Sequence, residues 1–331
     1  MKILFIGGTG NLSTDCAELL HRRGHEIIVL TRGRSLVPPQ YRSVAADRKD
    51  AASMHAALSG VSPDVIINFL GYEPADVQLD HALFCGNIRQ YVFISTAAAY
   101  VKPAQRLPIT EETPLGNPFW DYAQKKEQCE NWLREQWHTS RFPVTVVRPS
   151  HTYSPRWFPN PVSSSGYTLA ARLETGKPVF VPGDGENPWT LTATSDFAVG
   201  VAGLAGNNAA IGETFHITSD EALTWNQIYA ETAAALGVNS PRVLKVPVEF
   251  ICQQCPRLIG TVKGDKAYPA IFDNSKIKRF VPDFQCRKPF RAGIRESVDW
   301  FHQHPDRKVV NPEADAEFDR VTSAWLAQGG K

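Results

Sequence analysis

The strongest constraint on this chain lies at its N-terminal end. The apolar run Ile3-Leu4-Phe5-Ile6 leads straight into Gly7-Gly8-Thr9-Gly10-Asn11-Leu12-Ser13, after which Leu12, Cys16, Leu19 and Leu20 recur at helical spacing up to Arg23-Gly24. A short continuous apolar run reads as a strand buried on both faces, and the recurrence reads as an amphipathic helix with a glycine stop. Glycines between the two let the chain turn tightly and let a phosphate approach the backbone. The helix start then offers free N–H groups and the positive end of its dipole. Strand, glycines and helix in this register predict a dinucleotide pyrophosphate site rather than a turn without a ligand.

The alternation continues down the chain. Glu26 to Thr31, Val44 to Ala46, Asp64 to Leu70, Gln90 to Ser95 and Val144 to Val147 read as further strands, and a long helix after Pro118 carries Trp120, Cys129, Trp132, Leu133 and Trp137. Continuous apolar strands separated by helices imply an α/β fold with a parallel sheet covered on both faces. Beyond Ser154 the texture changes. Pro155, Pro159, Pro161 and the run Ser163-Ser164-Ser165 break the alternation, and short helices (167–174, 196–204, 225–236) mix with short strands (178–181, 214–217). Residues 1–154 are expected to form a dinucleotide-binding domain. Residues 155–331 are expected to form a smaller mixed α/β substrate lobe, with some return of chain to the first domain.

A formal net charge of +1 gives no electrostatic reason to seek nucleic acid or an anionic membrane. There is no stretch with the length of a signal peptide's apolar region or of a membrane helix. The expectation is a cytoplasmic protein with no nucleic-acid or membrane partner. Cys252-Gln-Gln-Cys255 has metal-type spacing, but no second such pair follows; free helix-borne thiols and no metal are expected.

The spacing Gly7-x-x-Gly10-x-x-Ser13 resembles the glycine motif of the extended short-chain dehydrogenase/reductase superfamily, within which it is similar to the NAD-dependent epimerase/dehydratase family. The third position there is usually Gly or Ala, and Ser13 is small enough to keep the helix close to the sheet. The resemblance implies a Rossmann-type doubly wound sheet, with Gly7, Thr9, Gly10, Asn11 and Leu12 against the cofactor. NAD usually asks for an acidic residue ending the second strand. That place falls on Thr31, followed by Arg32, Gly33, Arg34 and Ser35, so NAD(P) is expected with NADP(H) favoured over NAD(H). Asp47 and Arg48 match the position that contacts the adenine. Phe69, Leu70 and Gly71 match the segment lining the cofactor.

Tyr122 and Lys126, at i and i+4, share one helix face that continues through Cys129 and Leu133. The resemblance places the family's catalytic Tyr and Lys there. An alcohol must lose its proton as its carbon loses hydride, so a tyrosine with an ordinary pKa of about 10 needs a neighbouring ammonium and a positive nicotinamide to favour its phenolate. Lys126 is also expected to hold the nicotinamide ribose. In Phe93-Ile94-Ser95-Thr96-Ala97-Ala98-Ala99-Tyr100 the family register makes Thr96 the hydroxyl facing the reacting oxygen, with Ser95 second. In the segment Arg148 to Arg156, Pro149 and Ser150 are expected to meet the nicotinamide carboxamide. His151 is expected to touch substrate, a structural histidine being the alternative. Tyr72, Ala97, Trp157 and Trp189 complete the expected substrate wall, the two tryptophans either stacking on a sugar or base or filling core.

Departures from the family pattern narrow the expected activity. Ala97 and Ala98 occupy the place of the Asp-Glu pair of sugar 4,6-dehydratases and cannot transfer protons, which disfavours dehydration. Trp189 stands where an arginine grips the diphosphate of sugar nucleotides, and Val262, beside Lys263-Gly264-Asp265, stands near a second such arginine. Either the substrate carries no nucleotide diphosphate, or Arg156, Arg172 and Lys263 replace those arginines. The usual Asn on the helix before the fifth strand is not evident, and the segment 72–86 looks short. The expected activity is that of an NAD(P)-dependent oxidoreductase or epimerase acting by hydride transfer on a carbinol of a sugar or sugar derivative. A net NADPH-dependent ketoreductase is the first alternative, and a non-enzymatic NAD(P)-sensing or RNA-associated member the second. A homodimer is left open.

Overall fold

A computed structural model describes residues 1–162 and 166–330; the Ser163-Ser164-Ser165 break falls outside the described residues. Seven parallel strands form the main sheet. They are β1 (Lys2–Ile6), β2 (Glu26–Thr31), β3 (Arg42–Ala45), β4 (Val65–Asn68), β5 (Gln90–Ile94), β6 (Val144–Pro149) and, from the far side of the second lobe, β10 (Thr214–Ile217). Their order is β10-β6-β5-β4-β1-β2-β3. This is the Rossmann-type doubly wound arrangement, with the order reversing between β1 and β4. In such sheets ligands bind beyond the carboxyl ends of the strands at that reversal.

The continuous apolar runs have a direct cause. Ile3 and Phe5 of β1, Val65 and Ile67 of β4, and Val92 and Ile94 of β5 pack on one face of the sheet, while Leu4, Ile6, Ile66, Tyr91 and Phe93 pack on the other. Both faces are therefore dry. Helix α1 (Asn11–Arg22) covers the first face through Cys16, Ala17 and Leu20. Helices α2 (Ala51–Leu58), α3 (Pro74–Phe84) and α4 (Asp121–Thr139) cover the second through Met54, Val77, Cys129 and Leu133. The segment 72–86 thus carries a full helix, with Pro74 at its start and Asp76 in its first turn.

The second lobe begins where β6 ends. After Ser150 the chain enters β7 (His151–Tyr153), which pairs with β9 (Pro188–Ala193) and, through it, with β11 (Ala222–Thr224) in a three-stranded sheet. Between β7 and β9 lie α5 (Thr168–Glu174) and β8 (Val179–Pro182), the latter paired with β12 (Val243–Val246). Helices α7 (Trp225–Ala235), α8 (Val248–Gln254), α10 (Phe290–Gln303) and α11 (Pro312–Ala327) enclose this lobe's own core. The return of chain to the first domain is extensive. Helix α6 (Thr194–Leu204) packs beside α1 through Phe197, Ala198 and Val201, β10 joins the main sheet, and Ile277 of α9 (Ser275–Phe280) closes the same face. Cys252 lies in α8 and Cys255 just beyond its end, both as free thiols. Among the described residues no group of three metal-binding side chains exists, and no helix is long and apolar enough to cross a membrane.

A buried polar cluster ties α3 to the sheet. Arg48 Nη1 and Nη2 donate to Asp80 at 2.9 and 3.0 Å, and Asn68 Nδ2 donates to Asp80 at 2.6 Å and to the Tyr91 hydroxyl at 2.7 Å. Asn68 Oδ1 in turn accepts from the Leu70 backbone N–H at 2.7 Å, which fixes the chain leaving β4. Removing one partner of a buried pair strands the other charge at a cost of about 3–5 kcal/mol. Asp80→Ala should therefore lose about that much stability in urea denaturation; a loss below about 1 kcal/mol would contradict the anchoring role.

Candidate active site

A cleft of about 640 Å³ runs from the glycine loop, past the carboxyl ends of β4, β5 and β6, into the second lobe. Its first wall is the turn after β1. Gly7 has φ +90°, and a Cβ there would meet Leu70 Cγ at 2.5 Å, so the loop lies flat against the segment after β4 only because Gly7 has no side chain. Gly10 caps α1. Ser13, in its first turn, is buried, and its hydroxyl accepts from the Gly10 N–H at 2.8 Å. Serine at the third motif position therefore braces the loop as well as fitting the helix–sheet gap. Gly7, Gly10, Asn11, Leu12, Phe69 and Leu70 line the cleft, whereas Thr9 and Gly71 do not. Free N–H groups at a helix start and a flat glycine surface suit a pyrophosphate, and the cradle fits a dinucleotide.

The expected adenine end is more open. Thr31 is buried and its Oγ1 accepts from the Gly33 N–H, while Arg32, Arg34 and Ser35 are exposed at the end of β2. Asp47 is exposed and accepts from the Lys49 N–H. Arg48 departs from expectation. Its guanidinium is buried against Asp80, so it cannot reach out to an adenine.

The second wall is built on α4. Tyr122, Lys126 and Glu130 stand four residues apart on its inner face. Lys126 Nζ is buried and donates to the Ile94 carbonyl at 2.7 Å. One turn on, Glu130 accepts from Arg148 Nη2 at 2.6 Å and from the Ser95 hydroxyl. Ser95 also lines the cleft, but its hydroxyl is engaged by Glu130. Thr96 faces the cleft, half-buried, with its Oγ1 accepting from the Ala98 N–H at 3.2 Å and within hydrogen-bonding reach of the Tyr122 phenol. Ser95 and Thr96, adjacent in sequence, thus separate into a bracing hydroxyl and a cleft hydroxyl. Tyr72 lies over Lys126, 5.2 Å from ring centroid to Nζ, and 6.4 Å from the Tyr122 ring. Ala97 lines the floor.

The charge states differ from the sequence expectation in one respect. Burial drives the Lys126 ammonium down to about 8. The Tyr122 phenol is pushed up rather than down, first by burial and then by Tyr72, with Thr96 opposing. The ammonium 5.9 Å from its ring does not offset this in the protein alone. At neutral pH the Tyr122 phenol is thus protonated.

Pro149, Ser150 and His151 line the cleft where the chain passes from one sheet to the other, and Ser150 Oγ bonds Thr192 Oγ1 at 2.9 Å. The His151 ring packs 5.0 Å from Trp157 and 6.3 Å from Trp189, which itself packs 5.8 Å from Trp225. The tryptophan faces are largely covered by this packing, so they form wall rather than open stacking platforms. His151 Nε2 and both indole N–H groups are buried without a partner. The sequence reading missed Lys102, Asp265 and Lys266, which also line the cleft. The replacement cations expected for a diphosphate are elsewhere. Arg172 is held by Asp315, Asp319 and the Pro178 carbonyl, Lys263 lies over Phe119, and Arg156 is exposed outside the cleft.

A lysine whose folded pKa lies near 8 instead of about 10.4 opposes folding by about 3 kcal/mol at neutral pH. The penalty is full below about 8 and is relieved as pH rises toward 10.4, because the unfolded chain then holds more protons than the folded one. Lys126→Met should leave the melting temperature at pH 7 unchanged or raised, with less benefit at pH 10. A fall of several degrees at pH 7 would contradict a buried, costly ammonium.

The model of the NAD dependent epimerase/dehydratase family matches residues 3–218. The chain is 26% identical over 293 residues to 2'-dehydrokanamycin reductase of Streptomyces kanamyceticus, covering 87% of this chain and 81% of that one. It is 28% identical over 269 residues to the chloroplast stem-loop binding protein of 41 kDa b of Arabidopsis thaliana, covering 75% of this chain and 67% of that one. Among solved structures, dTDP-glucose 4,6-dehydratase of Bacillus anthracis in complex with NAD superposes with a TM-score of 0.74 at 19% identity, over 92% of this chain and 98% of that one. With the family model spanning both the glycine loop and the Tyr-Lys helix, the chain belongs to the NAD dependent epimerase/dehydratase family of NAD-dependent enzymes.

Proposed function

We propose that this protein is an NAD(P)-dependent oxidoreductase acting at a carbinol or ketone carbon of a sugar or sugar-like substrate, with Tyr122 as its acid/base. The observation that carries this reading is the pairing of the Thr96 and Tyr122 hydroxyls on one wall of a cleft that continues to the glycine loop, with Lys126 buried behind them. The glycine loop would hold the pyrophosphate of a nicotinamide dinucleotide and Pro149 and Ser150 its carboxamide, and the bound cofactor would supply hydride acceptance or donation. The chain's own residues then manage the oxygen. Thr96 donates a hydrogen bond that holds the substrate oxygen, and Tyr122 gives it a proton or takes one away. Lys126 holds the ribose hydroxyls and keeps positive charge beside the phenol.

The net-reduction form of this chemistry has specific support. A phenol kept protonated by burial suits proton donation to an oxygen that gains charge as its carbon accepts hydride. Ala97 and Ala98 on the floor offer no second acid for dehydration, and a relative matched over most of its length is named 2'-dehydrokanamycin reductase. NADP(H) is the favoured cofactor because Arg32 and Arg34 stand exposed where a carboxylate would select NAD. The stem-loop binding relative favours a second reading, recognition of structured RNA. A net charge of +1 and an intact Tyr-Lys pair speak against it.

Tyr122→Phe should abolish turnover while NADPH still binds; full activity in that variant would sink the assignment. Thr96→Val should cost about a hundredfold in kcat and Ser95→Ala far less, since the Ser95 hydroxyl is already donated to Glu130 whereas that of Thr96 pairs with Tyr122. Stoichiometric consumption of NADPH with keto-sugar substrates separates net reduction from epimerisation, which recycles its cofactor. A salt-dependent shift of stem-loop RNA on addition of the protein would instead support the second reading.

A further inference from the structure

Deeper in the cleft, two lysines and one carboxylate form a cluster that proton transfer at Tyr122 does not use. Lys102 and Lys266 are each 5% exposed. Both reach Asp265, Lys102 Nζ at 3.6 Å from Oδ1 and Lys266 Nζ at 3.5 Å from Oδ2. These are loose contacts, longer than a good charge-assisted hydrogen bond. Among the described residues no other carboxylate pairs with either ammonium. Two buried cations therefore share one anion. Burying a charge without a partner is costly, so this excess of positive charge is unfavourable in the protein alone.

Three unpartnered nitrogens belong to residues that line the same cleft. Trp157 Nε1, Trp189 Nε1 and His151 Nε2 have no hydrogen-bond partner, and the two tryptophans are 4% and 2% exposed. Lys266 Nζ lies 5.9 Å from the Trp189 ring centroid. Burial, and then the charge of Lys266, holds the His151 imidazole well below its ordinary range, so it is neutral. Indole N–H and ammonium groups can only donate. The ligand that satisfies them must present several acceptors, and the unbalanced charge asks that those acceptors be anionic.

The backbone is built to deliver these groups. Ile259–Lys266 forms a π-helical turn, an uncommon element that recurs at functional sites, and it presents Thr261, Asp265 and Lys266 to the same cleft. It is locked against α4, since a Cβ at Gly260 would meet Trp120 Cδ1 at 2.3 Å.

We propose that Lys102 and Lys266, with the indole N–H groups of Trp157 and Trp189, form a subsite for an anionic oxygen group of the substrate, a carboxylate or a phosphate. The proposal rests on the reading of this cleft as the substrate site. The substrate class becomes an acidic sugar, a sugar acid or sugar phosphate, rather than a neutral sugar or a polycationic aminoglycoside. Recognition then runs through lysines and indoles in place of the arginines missing at positions 189 and 262.

The test uses the full chain saturated with NADPH, whose binding is followed by cofactor fluorescence. Glucose, glucuronate and glucose 6-phosphate are titrated separately by tryptophan fluorescence. Glucuronate or glucose 6-phosphate should bind at least tenfold more tightly than glucose, and which of the two wins identifies carboxylate or phosphate. Lys102→Met and Lys266→Met should each remove the preference, whereas Tyr122→Phe should keep it. Asp265→Asn leaves both lysines in place and removes their counter-ion, so it should strengthen anion binding even where a lysine variant fails to fold. Equal binding of the three sugars, binding of none, or a preference that survives both lysine substitutions would overturn the subsite. With NADPH bound and Tyr122-dependent turnover intact, such a result leaves the hydride-transfer reading standing. Failure to bind either NADPH or NADH overturns that reading itself.

Discussion

The arrangement of the site depends on a row of buried polar groups where α4 crosses the sheet. Tyr122, Lys126 and Glu130 are spaced four residues apart. The last two are tied to the ends of β5 and β6 through the Ile94 carbonyl, Ser95 and Arg148. An apolar helix face could slide or rotate on an apolar sheet at little cost. Hydrogen bonds at fixed points on two strands remove that freedom, and Tyr122 is thereby set against Thr96. The layer below is apolar, with Cys129 and Leu133 on the sheet, so the polar row sits in a dry environment. That raises its electrostatic stakes and explains why burial is the largest cause of the shifts of both Lys126 and Tyr122.

A second anchor works on the other side of the sheet's reversal point. Arg48, Asp80, Asn68 and Tyr91 fix the chain after β4, and that chain packs directly on Gly7. The cleft is therefore held by two polar clusters, one beneath each wall, and its floor is the junction where β6 passes into the second lobe. Both clusters place charges in regions that apolar side chains could fill with comparable or better stability. They set position, and position is what a proton transfer between two hydroxyls requires.

Much of this was legible in the residues. The parallel sheet covered on both faces follows from apolar runs alternating with helices, and the glycine loop opens the first helix as its residues suggest. What was not legible has physical reasons. Arg48 sits in a polar stretch and shows no periodic signal, so its burial against Asp80, thirty-two positions away, emerges only from the fold. The segment 72–86 looks short in the sequence, yet it carries the helix over 74–84, because Asp76 and Asp80 turn inward to partners that only the fold supplies. Ser95 and Thr96 are chemically alike, and only the strand's alternation sends one down to Glu130 and the other into the cleft. Lys102, Asp265 and Lys266 come from segments distant in sequence that meet only because a π-helical turn faces the end of the first domain.

The central claim is that the polar row on α4 holds a charged lysine in a dry site against Glu130 and the strand ends. The most direct measurement is the titration of the Lys126 ammonium by Nζ-detected NMR, in the native protein and in Glu130→Gln. The account predicts a midpoint about 8 in the native protein and a lower one in the variant, because the Glu130 carboxylate favours the charged form. An ordinary lysine midpoint near about 10.4, unmoved by the substitution, would contradict it.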